Sequence, residues 1–136
     1  MNNKFNSIVV WLLRTIAALI LLQTLFFKFS AAEESVYIFS AIGMEPWGRI
    51  GTGIMELIAS VLILIPALTL FGAILSASLM AGAIFFHITK LGISVQNDGG
   101  QLFIYAVTVF ICSIALIIIN RSQGNRLLRS VSNLFV

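Results

Sequence analysis

The stretch Trp47–Ile88, WGRIGTGIMELIASVLILIPALTLFGAILSASLMAGAIFFHI, decides the fold of this chain. It is about twice as long as the roughly 20 mostly apolar residues that one membrane-spanning helix needs. Pro66 interrupts it near the middle. Because proline lacks an N–H and clashes with the preceding helical turn, one continuous helix is disfavoured. The stretch therefore predicts two spans, Trp47–Ile65 and Leu68–Ile88, joined as a tight helical hairpin.

Apolar runs on either side of this hairpin predict two further spans, Ile8–Phe29 and Gln101–Asn120. Of the 136 residues, 60% are hydrophobic and 10% are charged, whereas an ordinary globular domain carries about 25% charged residues. So few charges cannot cover the surface of a water-soluble domain. The sequence predicts one all-α domain over residues 1–136, an integral membrane four-helix bundle.

The segment between the first two spans has the pattern of a short helix. Ser30-Ala31-Ala32-Glu33 matches a capping box, which marks a helix start, and Gly43 is a suitable helix stop. The residues between them mix apolar and polar side chains, namely Val36, Ile38, Phe39 and Ile42 with Glu33, Glu34 and Ser40. We therefore expect a short interfacial helix here.

Basic residues in the terminal segments indicate the orientation of the bundle. Five of them lie near the two ends: Lys4, Arg14, Arg121, Arg126 and Arg129. Lys and Arg are enriched in the cytoplasmic loops of membrane proteins, and an even number of spans places both ends on one side. The sequence predicts a multi-pass protein of the inner (plasma) membrane with both termini cytoplasmic.

A cleaved signal peptide is the alternative interpretation of the first span. Ser30-Ala31-Ala32 resembles a signal-peptidase site that follows a basic and then apolar stretch. However, Arg14 and Gln23 lie within that stretch, Lys28 lies just before the site, and its length is that of a full span. These features favour a first span that is retained.

Composition also argues against several kinds of site. The net charge of +3 arises from residues at the ends of apolar runs rather than from a basic patch, so we expect no nucleic-acid partner. One histidine and one cysteine, Cys112, cannot assemble a zinc or iron–sulfur site. We therefore expect no metal, and no motif encodes a cofactor.

Polar residues inside the spans are the candidates for function, because charged groups are costly within a bilayer. Glu56 lies nine residues past Trp47, which places it about 13 Å below the outer edge at about 1.5 Å per residue. Gly48, Thr52, Glu56 and Ser60 recur every four residues and form one small and polar stripe. Such stripes pack against neighbouring helices, so Glu56 is expected to face the interior of the bundle.

Other polar side chains are predicted to lie at similar depth. The outer half of the bundle collects Gln23, Glu56, His87, Tyr105 and Thr108, with Lys28 and Arg49 above them and Arg14 in the inner half. Glu56 and His87 form a candidate proton relay, since a carboxylate and an imidazole within reach can pass a proton. Lys28 and Glu56 differ by about 10 Å in depth, so a direct ion pair requires Lys28 to reach inward. Pairing of Glu56 with Arg49 or His87 merely to fix helix register stays open.

The order of these motifs resembles the DoxX/DoxD-like family of small membrane proteins over about residues 10–120. The resemblance rests on Arg14, Lys28, Gly53-Ile54-Met55-Glu56, Leu62–Ile65, Met80-Ala81-Gly82-Ala83 and His87. It implies a four-helix membrane bundle whose site includes Lys28, Glu56 and His87, with Arg14 next. Members of the family are linked to thiosulfate:quinone oxidoreductase subunits, to oxidative-stress complexes and, among distant animal relatives, to receptor assembly.

Two functions are compatible with these features. In the first, the chain is a quinone- or lipid-binding subunit of a membrane redox or oxidative-stress system, with Lys28, Glu56, His87, Arg49, Gln23, Tyr105 and Arg14 as candidate ligand-binding residues. Electrons then come from a protein partner, because the chain itself encodes no redox cofactor. In the second, it is a non-catalytic chaperone or scaffold that holds a lipid or a partner's transmembrane helix. A protein partner or a homo-oligomer is expected in both cases.

Overall fold

The computed structural model describes residues 3–136, and this part of the chain is mostly helical, without strands. Its α-helices are α1 (Asn3–Phe29), α2 (Glu33–Ala41), α3 (Trp47–Leu64), α4 (Thr69–Phe86), α5 (Gln101–Asn120) and α6 (Ser122–Leu134). A 3-10 turn, Pro66–Leu68, precedes α4, and a π-helical turn, His87–Leu91, follows it. The all-α fold class is therefore confirmed.

Four segments of the described residues are long and apolar enough to cross a membrane. They are Asn6–Phe29, Trp47–Leu64, Pro66–Leu91 and Gln101–Asn120, which agree closely with the four predicted spans. The third span continues past the predicted end because the π-helical turn extends the helix to Leu91. These segments fit a multi-pass membrane protein.

The spans pack as a ring in chain order, with α1 against α3, α3 against α4, α4 against α5, and α5 back against α1. The core contains Ala17, Leu21, Ala59, Ile63, Ala73, Met80, Ala106, Val109, Cys112 and Leu116. Ser113 donates a 2.9 Å hydrogen bond to Ser76 between α5 and α4, and both side chains are fully buried. Such a bond satisfies polar groups that have no access to water.

The outer surface of the ring is apolar. Large side chains such as Leu19, Phe26, Phe85 and Ile111 are each more than half exposed. A soluble monomer rarely exposes contiguous apolar patches of this kind. The surface is suited to contact with the lipid bilayer.

The α3–α4 hairpin turns at Pro66, as the sequence predicted. Arg14 of α1 stabilises the turn, because its Nε donates a 2.7 Å hydrogen bond to the Ile63 carbonyl and its Nη2 donates to the Leu64 carbonyl. Carbonyls at the end of a helix have no intrahelical donor. Arg14 therefore caps α3 from a neighbouring helix.

The short helix between the first two spans is present as α2, and it packs against α1, α3 and the π-helical turn. Its start differs from the capping-box prediction. Glu33 begins the helix, and the preceding residue, Ala32, supplies no side-chain cap. Ser30 instead continues the hydrogen bonding of α1, since its N–H donates to the Phe26 carbonyl. Buried Ser35 and Phe39 hold α2 against the bundle.

Candidate functional site

A cavity of about 350 Å³ lies in the half of the bundle next to α2, referred to below as the α2 half. Residues from α1, α2, α3, α4 and α5 form its wall. Much of the wall is apolar, with Ile20, Phe27, Ile38, Leu79, Met80 and Phe86 among its residues. A largely apolar cavity with a few polar groups is typical of small-molecule sites.

An ion pair between Lys28 and Glu56 lies in the wall of this cavity. The Lys28 Nζ is 3.0 Å from the Glu56 Oε2, and the two side chains are 15% and 6% exposed. Thr24 of α1 adds a 3.3 Å hydrogen bond to the same oxygen. The long Lys28 side chain thus reaches inward, as a direct ion pair with Glu56 requires when the two residues lie at different depths along their helices. The pair unites the end of α1 with the middle of α3.

His87 also lines the cavity, at the first residue of the π-helical turn, and it is 5% exposed. Its Nδ1 is 2.9 Å from the Gly92 carbonyl. Because a carbonyl oxygen can only accept, Nδ1 carries the hydrogen, and Nε2 is an acceptor in the neutral ring and a donor in the charged ring. The turn can end here because Gly92 adopts a φ of +81°, which glycine tolerates without strain. His87 is therefore held by its backbone partner in one tautomer.

Asp98 orders the loop that connects the π-helical turn to α5. Its Oδ1 accepts hydrogen bonds from the backbone N–H groups of Val95 and Gly100, and its Oδ2 accepts one from Leu102. Burial acts to raise the pKa of Asp98, but these three donors, together with the nearby His87, hold it below its ordinary value. The aspartate thus caps the start of α5 as an anion.

Two further predicted residues lie at the cavity, on α1 and α5. Tyr105 accepts a 2.7 Å hydrogen bond from the Gln101 Nε2, and both side chains line the cavity. The Tyr105 hydroxyl can still donate its own hydrogen. Gln23 lines the cavity from α1, although its side chain is largely exposed.

The remaining candidate residues lie outside the cavity. Arg49 pairs with Glu45, at 2.8 Å between the Arg49 Nε and the Glu45 Oε1, and it also donates to the Lys28 carbonyl. Arg14 lies at the other end of the bundle, on the α3–α4 turn. Thr108 donates to the Ile104 carbonyl of its own helix. The structure thus brings together Lys28, Glu56, His87, Gln23 and Tyr105, and it leaves Arg14, Arg49 and Thr108 apart.

The chain was compared with known protein families, curated proteins and solved structures. The model of the DoxX-like family matches residues 12–118. The chain belongs to the DoxX-like family. No curated protein and no solved structure gives a significant match. The matched region of this DoxX-like protein includes the four spans almost completely, as well as α2 and the cavity.

One residue of the DoxX-like site, Glu34, was not predicted as functional. It lines the cavity from α2, and its Oε1 is buried without a hydrogen-bond partner. In the sequence, Glu34 is one of the polar residues of an expected interfacial helix. A usable signal was its spacing of four residues from Ile38, which also lines the cavity, because residues at i and i+4 share one helix face.

Metal ligands do not cluster in the DoxX-like bundle. Across residues 3–136, no three His, Cys, Asp or Glu side chains are grouped so that they could hold a metal ion. Cys112 is a buried free thiol on α5 within the apolar core. The polar residues that line the cavity offer hydrogen bonding and proton transfer by carboxylate, ammonium, imidazole and phenol groups.

Proposed function

We propose that this DoxX-like protein binds a quinone in the cavity of the α2 half and serves as a subunit of a membrane redox or oxidative-stress system. The observation that carries the proposal is the Lys28–Glu56 ion pair in the wall of a largely apolar cavity. An ionic pair inside a membrane-spanning bundle is costly and is a functional hypothesis by default. A quinone matches such a site because its ring is apolar and its two oxygens accept hydrogen bonds.

The residues of the cavity supply complementary roles for such a ring. The Lys28 ammonium and the Tyr105 hydroxyl donate hydrogen bonds to ring oxygens. Reduction of a quinone to a hydroquinone takes two electrons and two protons. Glu56 and His87 pass the protons to the ring oxygens, and a redox protein partner supplies the electrons, because this chain encodes no electron-carrying group.

The proposal includes a location and an orientation. The protein lies in the inner (plasma) membrane with both termini on the cytoplasmic side, because the basic residues concentrate in the terminal segments. The α2 half of the bundle then faces the outer leaflet. The quinone enters from the bilayer and meets the polar end of the cavity near that surface.

Mass spectrometry of an organic extract, with an ultraviolet spectrum of the same sample, tests this proposal. The protein is purified in a mild detergent as wild type, as Glu56→Gln and as Glu33→Gln. Glu33 is a matched control because it is an exposed glutamate of α2 outside the cavity wall. We expect a stoichiometric quinone in the wild type and in Glu33→Gln, and several-fold less in Glu56→Gln.

Other contents of the extract would contradict the proposal. A sterol-like molecule or another specific lipid in stoichiometric amount would replace the quinone as the ligand. Bulk membrane lipid alone would favour a non-catalytic scaffold that holds a partner's transmembrane helix. Equal quinone in Glu56→Gln and in the wild type would exclude Glu56 from the site.

A further inference from the structure

Glu34 has an unmet hydrogen-bonding requirement within the cavity wall. Its Oε1 is the one buried side-chain oxygen or nitrogen that lacks a hydrogen-bond partner among the described residues. Among the described residues, two ion pairs form, one between Lys28 and Glu56 and one between Arg49 and Glu45. Neither of them includes Glu34. A buried acceptor without a donor is unfavourable. A ligand that supplies the missing hydrogen-bond donor would therefore bind with a more favourable free energy.

The position of Glu34 is set by the packing of its helix. Ser35 and Phe39 are buried beneath α2, and Glu34 is in turn directed to the cavity together with Ile38. The charge that acts on the pKa of Glu34 is that of Asp98, which is also negative. Burial and then the negative charge of Asp98 raise the pKa of Glu34 above its ordinary value. A carboxylate whose pKa is raised is a more basic acceptor, and it gains more from a hydrogen-bond donor.

We infer that Glu34 is a specificity-determining residue that accepts a hydrogen bond from a hydroxyl group of the ligand, so that the cavity binds the reduced, hydroxyl-bearing ring in preference to the oxidised ring. This inference rests on the proposed function, because it concerns the form in which the quinone is held. An oxidised quinone offers only acceptors to Glu34, whereas a hydroquinone offers an O–H at each ring oxygen.

Two other residues of the cavity wall, Lys28 and Tyr105, are hydrogen-bond donors. The Lys28 ammonium and the Tyr105 hydroxyl can donate to either form of the ring, because quinone and hydroquinone oxygens both accept hydrogen bonds. They therefore cannot discriminate between the two forms by themselves. Glu34, as an acceptor with no competing donor in the described structure, separates the two forms. An oxygen-to-oxygen contact between an ionised Glu34 and a quinone carbonyl is repulsive.

Binding measurements with a matched pair of ligands test this inference. The purified full chain in detergent is titrated anaerobically with a short-tailed benzoquinone and with the corresponding hydroquinone, which is kept reduced. We expect the wild type to bind the hydroquinone about ten-fold more tightly, the ratio that one hydrogen bond to a charged acceptor provides. Glu34→Leu should lose this preference and bind the quinone as tightly as the wild type or more tightly.

The adjacent glutamate provides the control. Glu33 is exposed and lies outside the cavity wall, so Glu33→Leu should keep the preference of the wild type. Thermal unfolding distinguishes recognition from a structural role. Because Glu34 Oε1 has no partner to lose, we expect Glu34→Leu to unfold at a temperature equal to or above that of the wild type.

The possible failures can be told apart. A wild type that binds both forms equally, or a Glu34→Leu variant that retains the preference, overturns the inference and leaves quinone binding intact. If Glu34→Leu loses affinity for the quinone and the hydroquinone equally, the inference is also overturned. Glu34 would then shape the cavity without recognising the hydroxyl group of the ligand. A wild type that binds neither form overturns the proposed function and this inference with it.

Discussion

At the scale of single residues, the Lys28–Glu56 pair illustrates how a membrane bundle tolerates charge. Each partner would be costly if it were left alone in an apolar interior, whereas the pair at 3.0 Å, with Thr24 as a further donor, compensates much of that cost. Removing one partner leaves the other charge buried and unpaired. Removing both leaves neither charge of the pair buried without its partner, so the two kinds of variant should behave differently.

A double-mutant cycle measures this difference. Lys28→Met should lower the free energy of unfolding by about 3 kcal/mol, because Glu56 is then left uncompensated. Adding Glu56→Gln to Lys28→Met should restore a substantial part of that loss. Thermal and denaturant unfolding in detergent provides the measurement. Additive losses in the double variant would show that the two side chains are not coupled.

The second residue-scale prediction concerns the dependence of stability on pH at Asp98. Its pKa is lowered in the folded protein from an ordinary value of 3.8. The stabilisation is therefore present above that ordinary value and is lost as the pH falls through the lower folded value. Asp98→Asn should cost about 1 kcal/mol at neutral pH, because the amide has one acceptor oxygen instead of two and its hydrogen bonds lack the charge of the carboxylate.

Unfolding of wild type and Asp98→Asn over a range of pH checks this prediction. The difference between them should shrink as the pH falls from 3.8 through the lower folded pKa of Asp98, because Asp98 then becomes protonated and, like Asn, uncharged. Glu33→Gln is the control, since Glu33 is exposed on α2. A difference that is independent of pH would mean that the charge of Asp98 does not stabilise the fold.

At the scale of elements, the close approach of α3 and α4 depends on one glycine. A Cβ atom at Gly72 would lie 2.5 Å from the backbone nitrogen of Ile63 and 2.9 Å from the carbonyl oxygen of Ala59. These are backbone atoms, so they cannot rotate away. Small residues at such crossings allow membrane helices to pack closely, and the Pro66 turn places Gly72 opposite Ile63.

Gly72→Ala should accordingly destabilise the hairpin by about 1–3 kcal/mol, the cost of overpacking a core. Gly82 on the same helix is the matched control, because nothing lies within 4 Å of a Cβ built there. Gly82→Ala should be neutral or stabilising by up to about 1 kcal/mol. Unfolding in detergent measures both variants, and equal effects would contradict the close packing.

At the scale of the whole molecule, we expect the four spans to place both termini on one side of the membrane and α2 on the other. The Ser94–Gly100 segment lies on the same side as α2, since the π-helical turn contacts α2. The lone cysteine, Cys112, is buried. Its replacement therefore provides a background for introducing cysteines at exposed positions.

Labelling of single cysteines in intact cells tests the orientation. In a Cys112→Ala background, Gln96→Cys should react with a membrane-impermeant maleimide from outside, because Gln96 is exposed. Ser132→Cys on α6 should react only after the membrane is permeabilised. Cys112→Ala alone should stay unlabelled. The reverse pattern would invert the orientation, and labelling of both positions in intact cells would show that α5 does not cross the membrane between them.

Much of the fold followed from local features of the sequence. The apolar runs and Pro66 predicted four spans and a hairpin, because length and hydropathy decide whether a segment can cross a bilayer. The start of α2 was less predictable. The pattern at Ser30–Glu33 favoured a cap at Ser30, but the hydrogen bond from the Ser30 N–H continues α1 instead. The last turn of α1 therefore uses Ser30, and the capping-box pattern does not form a cap there.

The candidate site was predictable in depth but not in its contacts. A rise of about 1.5 Å per residue placed Glu56, His87 and Tyr105 in one half of the bundle, and they do line one cavity. The rise could not predict the partner of Arg49, which pairs with Glu45 in the turn just before α3. It also gave no reason to include Glu34, whose role depends on how α2 lies against the spans.

The sequence by itself determined the class of protein, the spans, the hairpin and the depth of each polar residue, because these depend on composition and on position along one helix. Only the tertiary structure decided that Lys28 meets Glu56, that Arg14 caps α3, and that Glu34 faces the cavity without a partner. These contacts depend on the rotation of each helix about its axis and on the reach of long side chains. Both are set by the packing of segments that are distant in the sequence.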